Sequence, residues 1–286
     1  MTLAFVTYDD GHDALLVEWL MTQGVMVDDC EHWRAAATPA VAEQLLAALV
    51  AQWQQTPVDV VLFPAGALGD ELATRLAWRL KGSGVCQISS LALAAGEVTK
   101  ATFGSALQAT LVLTMRPFCL SLARQPARHT TISLPEGLTQ RELSLAPLPA
   151  WCAEISVSPS PSVHPLTLAR RVLAVGQGAE SVDETTILAM AAAMDAEAGY
   201  SRARVMNGGF DALRMIGISG HLLAPDVCIV AGASGAPAFS AGIRQSQFIV
   251  AINRDAQAPI FSTADVGIVD DWPSLLTALT ACMRDS

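Results

Sequence analysis

One stretch limits the possible fold more than any other: Asp226-Val-Cys-Ile-Val-Ala-Gly-Ala-Ser-Gly-Ala-Pro-Ala-Phe-Ser-Ala-Gly242. Its first residues are short, apolar and uninterrupted, the pattern of a strand covered on both faces in a parallel sheet. A turn of small residues follows, and then a helix start, predicted over Ala236–Ile243. Gly232 and Gly235 let a ligand approach the backbone closely. Ser234 is placed to cap the helix and Pro237 suits its first turn. The free N–H groups of such a helix start, with the positive end of its dipole, form an anion site, and a diphosphate is its commonest ligand. Ligands bind beyond the carboxyl ends of strands in parallel α/β sheets. The same glycines also serve a turn that is only a tight connection.

The surrounding pattern agrees with that fold class. In the N-terminal half, strands are expected at Leu3–Tyr8, Val58–Pro64 and Val85–Leu91. Helices are expected at His12–Gln23, Pro39–Gln54 and Gly69–Leu80. Strand–helix alternation with short turns predicts a parallel α/β sheet. Past Leu107 the helices fade. Ala109–Met115, His129–Leu134, Glu142–Ala146 and Ala153–Ser158 read as strands, so this domain closes on an antiparallel or mixed region. Pro159, Pro161 and Pro165, with intervening serines, predict a linker. A second α/β unit follows. Its strands are expected at Arg171–Val175, Ala203–Met206, Asp226–Ala231, Gln247–Ile252 and Val266–Val269. Its further helices are expected at Asp183–Glu197 and Pro273–Met283.

Composition excludes several functions. Of the 286 residues, 52% are hydrophobic and 15% charged, which fits buried parallel sheets or a large apolar subunit interface. No apolar run reaches the roughly 18–20 residues of a membrane span. Met1–Asp10 lacks the basic flank and apolar core of a secretion signal, so a cytoplasmic protein is expected. A net charge of −10 argues against nucleic-acid binding. The six cysteines form no Cys-x-x-Cys pair, so the usual zinc and iron–sulfur spacings are missing. Ser234 sits where a hydrolase nucleophile would. However, Gly232-Ala233-Ser234-Gly235-Ala236 lacks the second glycine of that motif, and all five histidines precede the serine.

Three more polar strand ends join the glycine turn. Gly217-Ile218-Ser219-Gly220-His221 sets two glycines around a hydroxyl. Val250-Ala-Ile-Asn-Arg-Asp255 ends in side chains able to bond a sugar. Ala264-Asp-Val-Gly-Ile-Val-Asp-Asp-Trp272 ends in an acidic pair. Each is explicable as a surface turn; together they are what a dinucleotide cleft requires.

With Ala224-Pro225-Asp226, the Gly232–Ala236 turn and Ala258-Pro-Ile-Phe261, these motifs resemble the alpha subunit of electron-transfer flavoproteins. The likeness is tight over Gly217–Trp272, looser over Arg171–Ile216, and limited to length and general pattern further N-terminally. It implies an N-terminal α/β domain with a parallel or mixed sheet (residues 1–157, contacting a beta subunit), a linker (158–168) and a Rossmann-like parallel-sheet FAD-binding domain (169–286). It implies a heterodimer whose beta subunit covers the flavin and holds AMP. The implied role is an electron carrier between a dehydrogenase and an acceptor, not a self-sufficient enzyme.

Position by position, Ser234, Gly235, Ala236, Pro237, Ala238 and Phe239 would line the diphosphate and flavin edge. Asn253 would meet the adenosine side, and Asp271 with Trp272 the far end of the cofactor. Gly217, Ile218, Ser219 and Gly220 would lie along the flavin, with the Ser219 hydroxyl near its N5 edge, where a hydrogen bond tunes potential. Four departures stand out. Val175-Gly176-Gln177-Gly178 replaces Gly-Gly-Arg-Gly, Met206-Asn207 replaces Ser-Arg, Ile218-Ser219-Gly220 replaces Gln-Thr-Gly, and Phe239 replaces a histidine. Gln177, Asn207 and Phe239 thus stand where basic or ionisable groups are expected. FAD is expected to be held mainly by backbone and hydroxyl groups, more weakly than usual, and to be harder to reduce. His221, Arg202, Arg204 and Arg214 are candidates to compensate. A flavin-deficient assembly protein and a stand-alone enzyme using NAD or a CoA ester are the alternatives.

Overall fold

The computed structural model describes residues 1–127, 132–152, 155, 164–178 and 181–284. The chain divides into two compact units. One takes nearly all described residues up to Ile155, the other those from His164 on. Most of the expected linker lies outside the described residues, as do Ala153–Ser158, Ile155 apart, and the first part of His129–Leu134; Ile132–Leu134 are not strand.

The first unit runs β1 (Leu3–Thr7), α1 (Asp10–Thr22), β2 (Glu31–Ala35), α2 (Glu43–Gln55), β3 (Val60–Phe63) and α3 (Ala67–Leu80). It continues with β4 (Ser83–Ala92), β5 (Glu97–Thr102), β6 (Leu107–Val112), β7 (Phe118–Leu122) and β8 (Thr139–Leu143). These strands form one eight-stranded sheet in the order β6-β5-β4-β7-β3-β1-β2-β8. Pairing is parallel except for the antiparallel β4–β5–β6 extension. Every residue of β1, β3 and β7 is buried, because both faces are covered. Trp33, Phe63, Leu46 and Leu72 pack on one side, and Phe5, Leu16, Leu20 and Leu120 on the other.

The second unit runs α4 (Pro165–Leu168), β9 (Arg171–Val175), α5 (Glu184–Ala193), β10 (Glu197–Ser201), α6 (Arg202–Gly208) and β11 (Met215–Ile216). Then come β12 (Val227–Ala231), α7 (Pro237–Ser240), β13 (Phe248–Ile252), β14 (Val266–Ile268) and α8 (Trp272–Arg284). Its six-stranded sheet has the order β11-β10-β9-β12-β13-β14, and every pair is parallel. Apolar side chains fill both faces. The α/β class, with one mixed and one parallel sheet, is therefore as the sequence predicts.

Three sequence readings are corrected here. The helix expected over Asp183–Glu197 stops at Ala193. Asp195 then adopts a left-handed φ of 52° and the chain enters β10 at Glu197. The strand expected at Ala203–Met206 is helix α6, because the Ser201 hydroxyl accepts from the Arg204 N–H at 3.3 Å and caps it. The strand itself is Glu197–Ser201, disguised by Gly199. A Cβ there would lie 2.6 Å from Ile216 Cδ1 and 3.0 Å from Leu166 Cδ2, so a larger residue would have to displace those two side chains. The helix expected over Ala236–Ile243 is the short α7; beyond Ser240 the chain continues in turns.

Candidate functional site

The order of the second sheet creates the site. From β9 the chain builds outward one way through β10 and β11, then returns beside β9 as β12 and builds the other way. At such a reversal the connections leave on opposite faces and a crevice opens beyond the strand ends. A cleft of about 670 Å³ lies there. The turn after β9 supplies Gln177 and Gly178, and the end of β10 supplies Ser201 and Arg202. The Gly217–Ser219 loop, the Gly232–Ala236 turn, Phe239 and Asn253 complete most of the wall.

The Gly232–Ala236 turn has its polar groups sorted. Each carbonyl from Ala231 to Ala236 is engaged within the protein. Ala231 O accepts from Gly176 N (2.8 Å), Gly232 O from Gly178 N (3.0 Å), and Ser234 O from Ile260 N (3.1 Å). Ala233 O accepts from Asn253 Nδ2 (2.9 Å), Gly235 O from Ser240 Oγ (3.3 Å), and Ala236 O from Phe239 N and Ser240 N (both 2.9 Å). Among the described residues, the N–H groups of Ser234, Gly235 and Ala236 are given to no other backbone group. A row of N–H donors without competing carbonyls is the arrangement that binds an anion. Two glycines make it geometrically possible. Gly232 and Gly235 have φ of +62° and +88°, and a Cβ on Gly235 would stand 2.3 Å from Ile260 N.

The structure brings most of the expected site residues together. Gly217, Ile218, Ser219, Ser234, Gly235, Ala236, Ala238, Phe239 and Asn253 all line the cleft, whereas Gly220, Pro237, Asp271 and Trp272 are not among its lining residues. Ser234 does not cap the helix as expected. The cap residue is Ala236, with no side-chain bond, and Ser234 is left exposed at the cleft. The Asn253 amide spans two loops: besides its bond to Ala233 O, its Oδ1 accepts from Asp255 N at 3.0 Å. Asp271 pairs with Arg254 and accepts from Ser274 Oγ at 3.0 Å. Trp272 is 2% exposed, and its indole N–H is donated to Gly178 O at 3.0 Å.

Sequence reasoning missed Ser201 and misjudged the charge. The pair Met206-Asn207 does not stand at the strand end. Because β10 closes earlier, Ser201-Arg202 occupies that position, and both residues line the cleft. The Ser-Arg pair expected at Met206-Asn207 is thus present at residues 201–202, and the expectation of three absent cations falls by one. A serine followed by a helical run was the available signal. Of the compensating groups considered, Arg202 alone faces the cleft. Arg204 is buried, bonds the Val182 carbonyl and lies 4.4 Å over the Phe210 ring. Arg214 pairs with Glu197 at 2.8 Å. The His221 ring lies 2.8 Å from the Leu213 carbonyl through Nε2 and stacks on His164 at 5.5 Å. Gln177 and Phe239 do line the cleft as neutral groups.

Comparison with known proteins bears on the same residues. The electron transfer flavoprotein FAD-binding domain matches residues 165–244, and the electron transfer flavoprotein domain matches residues 24–132. The putative electron transfer flavoprotein subunit YgcQ of Escherichia coli is 52% identical over 98% of this chain and 97% of its own length. The electron transfer flavoprotein subunit alpha of Mycobacterium leprae is 33% identical over 97% of this chain and 87% of its own. Protein FixB of Bradyrhizobium diazoefficiens is 32% identical over 79% of this chain and 64% of its own. With a parallel-sheet domain, a cleft at its reversal and matches in both units, the chain belongs to the electron-transfer flavoprotein alpha-subunit family.

Proposed function

We propose that this chain holds FAD in its second unit and works as a heterodimer with a beta subunit, carrying electrons from a dehydrogenase to an acceptor. The observation that supports this best is the Gly232–Ala236 turn, with its carbonyls tied back and its N–H groups left for an anion. It lies at the sheet reversal and inside the region matched as an FAD-binding domain. FAD, when bound, supplies the redox chemistry.

The chain's residues then have distinct tasks. Ser234, Gly235 and Ala236 hold the diphosphate through main-chain N–H groups. The Ser219 hydroxyl, in a loop that lines the cleft, serves the flavin edge. Met206, Ile218 and Phe239 supply apolar wall that limits water at the ring. Arg202 places a positive charge in the cleft, which favours the reduced, anionic state of a flavin over the oxidised one. The beta subunit covers the open side and holds AMP. Among the described residues no helix is long and apolar enough to cross a membrane, and a cytoplasmic location is part of this proposal.

The test is co-expression with the beta-type partner, purification of the complex, and identification of the cofactor released by denaturation. FAD, with a visible flavin spectrum in the intact complex, is the expected result. A complex that stays colourless after incubation with FAD refutes the reading. It would favour a subunit that keeps the fold for assembly, a reading motivated by the neutral Gln177 and Phe239 in the cleft.

A further inference from the structure

We infer that Trp272 is a positioning residue for the diphosphate end of the proposed cofactor, acting through the Gly178 and Gly232 turns. The inference rests on the FAD reading above. Trp272 opens α8, the last helix, and is 2% exposed. Its indole lies under both turns. Nε1 donates to Gly178 O at 3.0 Å, and a Cβ on Gly232 would stand 2.8 Å from that same nitrogen. Gly232 therefore owes its missing side chain to the indole as well as to its φ of +62°.

The two turns are joined a second time from above, where Gly178 N donates to Gly232 O at 3.0 Å. Both polar groups of Gly178 are thus fixed within the protein, one by a main-chain carbonyl and one by the indole. This matters for the charge the cleft meets. A carbonyl oxygen turned toward a diphosphate repels it, and only a donor on the far side keeps Gly178 O turned away. No main-chain N–H takes that role for Gly178 among the described bonds; the tryptophan side chain does. Asp271, paired with Arg254 and bonded by Ser274, holds the start of α8 and so the indole's place.

The test compares FAD with riboflavin, which carries the same ring and no diphosphate, on the heterodimer stripped of cofactor. Wild type is expected to bind FAD more tightly than riboflavin. Trp272→Phe keeps an aromatic ring and removes the donor. It is expected to weaken FAD about tenfold, the change a lost hydrogen bond carries, and to leave riboflavin binding unchanged. Leu276→Ala, a fully buried change in the same helix, is the control. It should lower the unfolding midpoint and keep the FAD-to-riboflavin ratio. If Trp272→Phe does not fold, Gly178→Ala carries the test. Its Cβ would meet Gly232 O at 3.0 Å and wedge the turns apart with the indole intact, and the same FAD-selective loss is expected. Equal loss of both ligands, or no loss of either, overturns the inference. A wild type that binds both ligands equally also overturns it while leaving the flavin reading standing; a wild type that binds neither overturns the flavin reading itself.

Discussion

Replacing Asn253 separates a side chain that touches a ligand from one that shapes the loop beside it. Asn253 makes two bonds, Nδ2 to Ala233 O at 2.9 Å and Oδ1 from Asp255 N at 3.0 Å. At about 1 kcal/mol each, Asn253→Ala costs the second unit about 2 kcal/mol. For a unit of this size that corresponds to a fall of roughly 8 °C in its unfolding midpoint. The cost is present without cofactor, because both partners are backbone groups of the protein. Freed from its donor, Ala233 O can also turn toward the cleft, so FAD affinity falls on top of the stability loss.

Asn253→Asp sharpens the test. The carboxylate still accepts from Asp255 N but sets a second oxygen against Ala233 O. The order of apo stability is therefore wild type, then Ala, then Asp, the Asp variant losing roughly a further 1 kcal/mol or more. Urea unfolding of the cofactor-free complex, followed by circular dichroism, reads this order. If both variants match wild type without cofactor, Asn253 does not shape the loop and the account of the sorted carbonyls is wrong.

Other outcomes follow from the same geometry. Arg202→Gln removes the cation from the cleft. It should weaken binding of reduced flavin by about 1 kcal/mol more than oxidised flavin, moving the midpoint potential down; spectroelectrochemistry showing no shift or an upward one refutes this. Gly217 has φ +122° and a Cβ there would stand 2.6 Å from Ala238 O, so Gly217→Ala should destabilise the second unit by about 2–4 kcal/mol in urea unfolding, and a change near zero would refute the strain. His32 is fully buried, with Nε2 2.7 Å from Thr7 Oγ1 and 3.4 Å from Asp13. Burial lowers its pKa, Asp13 opposing and Arg34 adding to the shift. The unfolded chain therefore takes up the proton first. Stability of the first unit is unaffected well above pH about 6.5 and falls as pH drops from there through the lower folded value. His12, lowered mainly by burial, adds in the same direction. His32→Gln should flatten part of that slope in urea midpoints compared at pH 7.5 and pH 5, and an unchanged slope counts against the buried neutral histidine.

The parts of the site legible in the sequence were those whose chemistry is local. The Val227–Ala231 run and the glycines after it announce a strand and a tight turn, because both are set by residues that are neighbours in sequence. β10 was not legible. Its Glu-Ala-Gly-Tyr-Ser sequence hides a buried strand behind Gly199, where an added Cβ would stand 2.6 Å from Ile216 Cδ1, a neighbour no local pattern reveals. That single slip moved a strand end to Met206 and with it the charge ascribed to the cleft. β2, β5 and β7 escaped for a related cause: what makes them strands is the neighbour each pairs with. The bonds of Asn253 and Trp272 join residues 20 and 94 positions apart, so their type suggested contact with a ligand while their partners stayed out of reach.

The sorted Gly232–Ala236 turn separates anchoring from tuning. Its donors belong to the main chain, so no side-chain substitution on the rim removes them. Gln177, Arg202, Ser219 and Phe239 bring side chains to the same cleft, so what they contribute depends on residue type. Under the proposed function, a change at Arg202 or Ser219 alters the electrostatics of the cleft while the main-chain donors remain.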